Sequence, residues 1–204
     1  MIIRDLRIFS QNIQKNSFIV NTILETQIQF DIIFIQESPW SEIYKIPSSL
    51  NCEGEALMRT THHPNWLFFT RTPSDRSDSP RVIAYINIHL SSFRFPLHND
   101  IINHRDILLI SFLNNHVCYY IMNVYSDSSH MALKYLNDTE VNIDNILVMT
   151  GDFKIRNSLW DISFPHHSSI SDNLLIITDS FNLALSTPTN PCPTRYSDTA
   201  GKAN

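Results

Sequence analysis

Four polar side chains stand where apolar runs stop: Asn12 after "LRIFSQ", Glu37 after "DIIFIQ", Tyr125 after "YIMNV" and Asp152 after "ILVMTG". Taken singly, each reads as a turn residue or an edge hydrogen bond. Taken together they form a pattern, because central strands that end side by side deliver their last residues to one rim. Glu37 and Asp152 on such a rim would suit Mg²⁺, with Mn²⁺ as a substitute, since a hard ion is held by one or two carboxylates together with water and phosphate. The ion would offset charge on a phosphate and orient an attacking water. Gly151, directly before Asp152, reads either as an ordinary turn glycine or as a place where the backbone must pass close to a neighbour.

The elements that must position these residues follow from periodicity. Residues 6–14 alternate as a strand ending near Asn12, and 17–30 carry a helical apolar stripe with Ser17 as a candidate N-cap. Residues 31–40 form a short apolar strand, so the first third reads as a strand–helix–strand crossover. The stretch 41–65 is mixed and polar, a loop by this reading. Strands are expected at 66–70 and 81–90, and a hairpin over 106–126 turning at Asn114-Asn115. Residues 130–141 and 169–181 read as helices, 145–152 as a buried strand, and "NLALST" as a last short strand before a Pro-rich tail. Interleaved hairpins and helices fit an α/β sandwich of two sheets with helices on the outer faces, within a single domain over 1–204.

Composition removes several classes of function. The chain has three glycines in 204 residues, where average usage of roughly 7% would give about fourteen. Dinucleotide-binding and P-loop motifs need closely spaced glycines and are excluded. A net charge of −5 argues against coating nucleic acid by bulk electrostatics. No window of 18 apolar residues suggests a membrane helix. The N-terminus lacks the pattern of a secretory leader, and Cys52, Cys118 and Cys192 read as reduced thiols of an intracellular protein.

"SQNIQKN", "FIQES", "NVYS" and "MTGDF", in that order, resemble successive motifs of the endonuclease/exonuclease/phosphatase superfamily. The branch resembled most is the apurinic-type endonuclease domain of LINE-like non-LTR retrotransposons. The likeness spans nearly the whole chain. It implies a DNase I-like sandwich and Mg²⁺-dependent nicking of DNA phosphodiesters, with nuclear localisation following from the resemblance alone. It further implies that Glu37 holds the metal with Asn12 close by, that Tyr125 contacts the scissile phosphate, and that Asp152 touches the metal and orients or deprotonates the attacking water.

Two departures from the family pattern bear on activity. Lys154 stands where the family has asparagine. Its ammonium would either enter the site, pairing with Glu37 or Asp152 in place of the ion, or swing out to solvent. At about 4 Å and an effective dielectric of about 20, two unit cations repel by about 4 kcal/mol. The family's terminal Ser-Asp-His motif and last strands are also absent from the sequence, so the resemblance reads as a truncated copy with weak or no cleavage. A non-catalytic DNA- or protein-binding domain is the alternative. The histidine pairs His62-His63 and His166-His167 read as solvated, Asp161 and Arg156 either as residues near the site or as part of a surface loop anchored by Trp160, and "RTPSDRSDSPR" (71–81) as a solvated loop rather than a DNA-contacting patch.

Overall fold

β1 (Ile8–Asn12) and β2 (Ile32–Gln36) run parallel, joined by helix α1 (Ser17–Thr26), which is the crossover that the spacing predicts. The computed structural model describes residues 5–40, 43–47, 56–59, 63–75, 78–139, 141, 143–160 and 168–186. β3 (Tyr44–Pro47) and β4 (Ala56–Arg59) pair as a separate antiparallel hairpin, a correction to the expected loop over 41–65. Unlike the all-apolar "WLFF" of β5, "YKIP" and "ALMR" mix apolar residues with Lys45, Pro47 and Arg59, so no apolar run marks them as strands. β5 (Trp66–Phe69) and β6 (Val82–Asn87) complete the first sheet, in the order β1-β2-β6-β5. The strand expected at 81–90 ends earlier, because Ile88–Phe93 winds into a 3₁₀ segment capped by the Asn87 side chain.

β7 (Ile107–Asn114) and β8 (Val117–Tyr125) form the long hairpin, and β9 (Ile146–Asp152) lies parallel to β8 after helix α2 (Met131–Asp138). The turn falls at Asn115-His116, one residue beyond the expected place, with φ values of 51° and 66°. A two-residue hairpin of the primed type needs both central residues at positive φ. Helix α3 (Ser169–Ser180) begins with the Ser168 capping box. "NLALST" does not form a strand within the described residues 182–186. Helix α1 starts from Asn16 rather than Ser17, since the Asn16 side chain accepts from Phe18 and Ile19 N–H, and it ends four residues earlier than 17–30 predicts.

Alternation along β2 assigns the layers. Ile33 and Ile35 pack with Val20, Ile23 and Leu24 of α1, while Ile32 and Phe34 meet Leu108, Ile110 and Ile121 of the second sheet. On the far side of that sheet, Met122 and Val124 pack with Leu133 and Leu136 of α2 and Leu174 and Ile177 of α3. Two mixed sheets therefore lie face to face with helices outside, as the sequence predicts. One polar residue sits within this stack. Asn123 is fully buried, donates to the Ile35 and Ile83 carbonyls at 3.1 and 3.2 Å, and accepts from Gln36 Nε2.

Candidate functional site

Asn12, Tyr125 and Asp152 are the last residues of β1, β8 and β9, and Glu37 follows β2 directly. Parallel pairing of β1 with β2 and of β8 with β9 brings all four to one end of the facing sheets. Asn12 Nδ2 donates to Glu37 Oε1 at 2.9 Å and to Asp152 Oδ2 at 2.6 Å. The Tyr125 hydroxyl donates to the same Glu37 oxygen at 2.9 Å. Matching turns fix two of these side chains, Asn12 Oδ1 accepting from Gln14 N–H and Asp152 Oδ1 from Lys154 N–H.

Lys154 lies inside the cluster. Its Nζ is 3.2 Å from Glu37 Oε1 and 2.9 Å from the Tyr125 hydroxyl, and it also stands 4.8 Å from the Tyr125 ring centroid. Of the two expectations for this side chain, the structure adopts the inward one. Burial pushes the Glu37 carboxyl up, but hydrogen bonds from Asn12, Tyr125 and Lys154 outweigh it and hold the group below the usual carboxylate range. Burial likewise works against the Lys154 ammonium, yet bonds to Tyr125 and Glu37 raise its pKa. Burial raises the Tyr125 phenol; Lys154 opposes that rise and Glu37 reinforces it. The result is a negative carboxylate and a positive ammonium joined both directly and through one phenol.

The surrounding backbone is strained. Gln14, Lys15, Glu37 and Lys154 all take left-handed φ between 50° and 63°, a cost of order 1–3 kcal/mol each that persists where the fold over-determines it. Gly151 settles the question its position raised: at φ 152° it pairs with Val124 so closely that a Cβ would lie 1.7 Å from the Val124 carbonyl oxygen. The close approach aligns Asp152 with Tyr125.

Sequence reasoning missed Arg81 and Asn123. Arg81 stacks on Tyr125 at 4.8 Å and pairs with Asp106 and Asp127. Arg71 is buried, bonded to Asn103 and Asp78. Two of the three arginines of "RTPSDRSDSPR" are thus internal ties, which corrects the solvated-loop reading; Arg76 lies outside the described residues. The signal for Asn123 was a lone amide inside "YYIMNVY". His63 Nδ1 accepts from Asn65 N–H in a local turn, and the Trp160 indole donates to the Ile155 carbonyl. His62, Asp161, His166, His167, Cys52 and Cys192 lie outside the described residues, while Cys118 is a free, half-buried thiol.

The donor set of the rim does not suit a divalent cation. Among the described residues, no three His, Cys, Asp or Glu side chains are grouped to hold a metal. The two carboxylates present share the Asn12 amide, and an ammonium already sits on the Glu37 oxygen. In this arrangement the residues do not fit the ion.

Among solved structures, the chain is similar to the endonuclease domain of TRAS1, a telomere-specific non-LTR retrotransposon, with a TM-score of 0.53 and 11% identity over 86% of this chain and 70% of that one. The fold is DNase I-like. Humanised D. rerio TDP2 matches at a TM-score of 0.41 with 15% identity, covering 75% of this chain and 64% of that one. A Staphylococcus aureus beta toxin mutant with bound magnesium ions matches at 0.40 with 9% identity, covering 85% and 70%. No family model matches the chain, and no curated protein matches it in sequence. Among the described residues, no helix is long and apolar enough to cross a membrane.

Proposed function

We propose that this chain, one domain over 1–204, is a retrotransposon-derived domain of endonuclease type that engages the phosphodiester backbone of DNA at the rim of Asn12, Glu37, Tyr125 and Asp152, and that hydrolysis there is weak or absent. The observation that carries the reading is the single hydrogen-bonded cluster these four residues form at one end of two facing sheets. The likeness in fold to the TRAS1 endonuclease domain supports it.

The side chains divide the work. Lys154 spends two of its three N–H donors on Glu37 and Tyr125, leaving one for a phosphate oxygen. Asp152 accepts from the Asn12 amide and the Lys154 backbone and keeps further lone pairs on both oxygens, with which it would deprotonate a bound water. Glu37 holds the phenol and the ammonium in place. With the ammonium in the cluster, binding of the phosphate backbone is favoured over cleavage, and for that reason a domesticated DNA-binding domain is the second reading.

Two measurements on the full chain test the proposal: nicking of supercoiled plasmid in Mg²⁺, and binding of a fluorescent duplex by anisotropy. The expected result is binding with little nicking, with binding weakened in Tyr125→Phe and Lys154→Ala. Binding that is absent, or unchanged in both variants, contradicts the site. Rapid nicking by the unaltered chain contradicts the impairment.

A further inference from the structure

The backbone of Lys154 turns through φ 50°, and its N–H donates to the Asp152 carboxylate at 3.2 Å. That turn sends the side chain back across the rim, where Nζ lies 3.2 Å from Glu37 Oε1 and 2.9 Å from the Tyr125 hydroxyl. Glu37 Oε1 accepts three hydrogen bonds, from Asn12, Tyr125 and Lys154, of which only Lys154 brings a charge. The other cation over the Tyr125 ring, Arg81, is committed to Asp106 and Asp127. The charge on Glu37 is therefore met from within the chain, while Asp152 is held by two neutral donors, the Asn12 amide and the Lys154 backbone N–H.

We propose that the Lys154 ammonium is a resident cation, held where the rim concentrates its negative charge, so that the domain takes no divalent ion as it stands and acquires a divalent-ion site when this side chain is shortened. Like charges a few ångströms apart disfavour one another, and here the exposed Lys154 ammonium sits directly on the more buried Glu37 oxygen that an ion would need. With the ammonium gone, Glu37 and Asp152 would present two carboxylates already drawn together by the Asn12 amide, the kind of set a hard cation accepts with water filling the remaining positions. The inference rests on reading this rim as the functional site, but its test does not involve DNA.

Mn²⁺ alone is the probe, followed by electron paramagnetic resonance of the full chain. The unaltered protein should leave the free-ion signal unchanged. Lys154→Asn should bind Mn²⁺ at least about ten-fold more tightly, equivalent to about 1.4 kcal/mol, and the double variant Lys154→Asn with Glu37→Gln should lose the gain. The proposal is overturned if the unaltered chain binds as tightly as Lys154→Asn, or if a Lys154→Asn protein with unchanged circular dichroism gains nothing. A second measurement needs no variant: the melting temperature of the unaltered chain should be the same in EDTA and in Mg²⁺, and a rise with Mg²⁺ overturns the proposal. DNA binding is a separate result, and its absence removes the proposed function while leaving the Mn²⁺ comparison standing.

Discussion

Asn12 and Asp152 are 140 positions apart in sequence and joined by a 2.6 Å hydrogen bond that spans the gap between the two sheets. The same amide nitrogen also reaches Glu37. One neutral side chain thus holds two carboxylates together at the mouth of the sandwich, and charge-assisted bonds of this kind are among the stronger ones.

Replacing Asn12 separates the parts of that link. Asn12→Ala is expected to cost about 1–3 kcal/mol, the range for losing a donor to a charged partner. Asn12→Asp is expected to cost more at pH 7 than at pH 4, because a third carboxylate repels Glu37 and Asp152 only while ionised. Urea unfolding at the two pH values checks both. Equal losses for Asn12→Asp at the two values would mean that the carboxylates do not share a field.

Gly151→Ala is expected to be severe. The added Cβ would meet the Val124 carbonyl oxygen at 1.7 Å, and the residue sits at φ 152°. A loss of at least about 2 kcal/mol, or about 4–8 °C in melting temperature for a chain of this size, should follow. Differential scanning calorimetry reads it directly. A neutral result would mean that β9 does not approach β8 in this way.

Asn123→Leu tests the polar bridge between the sheets. It leaves Gln36 Nε2 without one of its two acceptors and two buried carbonyls without their donor. Unsatisfied buried groups cost about 1–3 kcal/mol each, so an isosteric apolar substitution should destabilise despite the greasier side chain. A gain in stability on thermal unfolding would contradict the role assigned to this amide.

Much of the rim was legible in the sequence because apolar runs that end in a polar residue are short-range signals. Asn12, Glu37, Tyr125 and Asp152 each close such a run, and pairing of parallel strands then places them together. The two sheets with outer helices were legible for the same reason. What escaped depends on distance. β3 and β4 carry Lys45, Pro47 and Arg59 among their four residues each, so they lack the apolar run that marks β5. Arg71 and Arg81 look solvated in a loop rich in aspartate, yet turn inward because Asn103, Asp106 and Asp127 come from elsewhere in the chain. The inward course of Lys154 was one of two expectations. It was settled by a backbone turn that no composition rule reveals.

Acid should weaken the fold partly through Asp31. Burial raises its carboxyl, but the Arg7 side chain and backbone, aided by His89, outweigh burial and lower the pKa. A folded pKa below the unfolded one means that the stabilisation is fully present above the ordinary carboxylate value of about 4 and is lost as pH falls through the folded value. Glu37, Asp78 and Asp127 are lowered as well and act in the same window. Asp31→Asn should therefore be less stable at neutral pH and show a shallower fall in melting temperature from about pH 5 to pH 2. Parallel curves for the two proteins would contradict this assignment.

Amide chemical shifts of the ¹⁵N-labelled full chain, followed while a short DNA duplex is added in EDTA, test the central claim most directly. If the rim engages the phosphate backbone through its own cation, the largest changes should fall on Gln14, Glu37, Ser126 and Lys154 and should vanish in Lys154→Ala. Changes confined to another face of the sandwich, or none at all at saturating DNA, would contradict it.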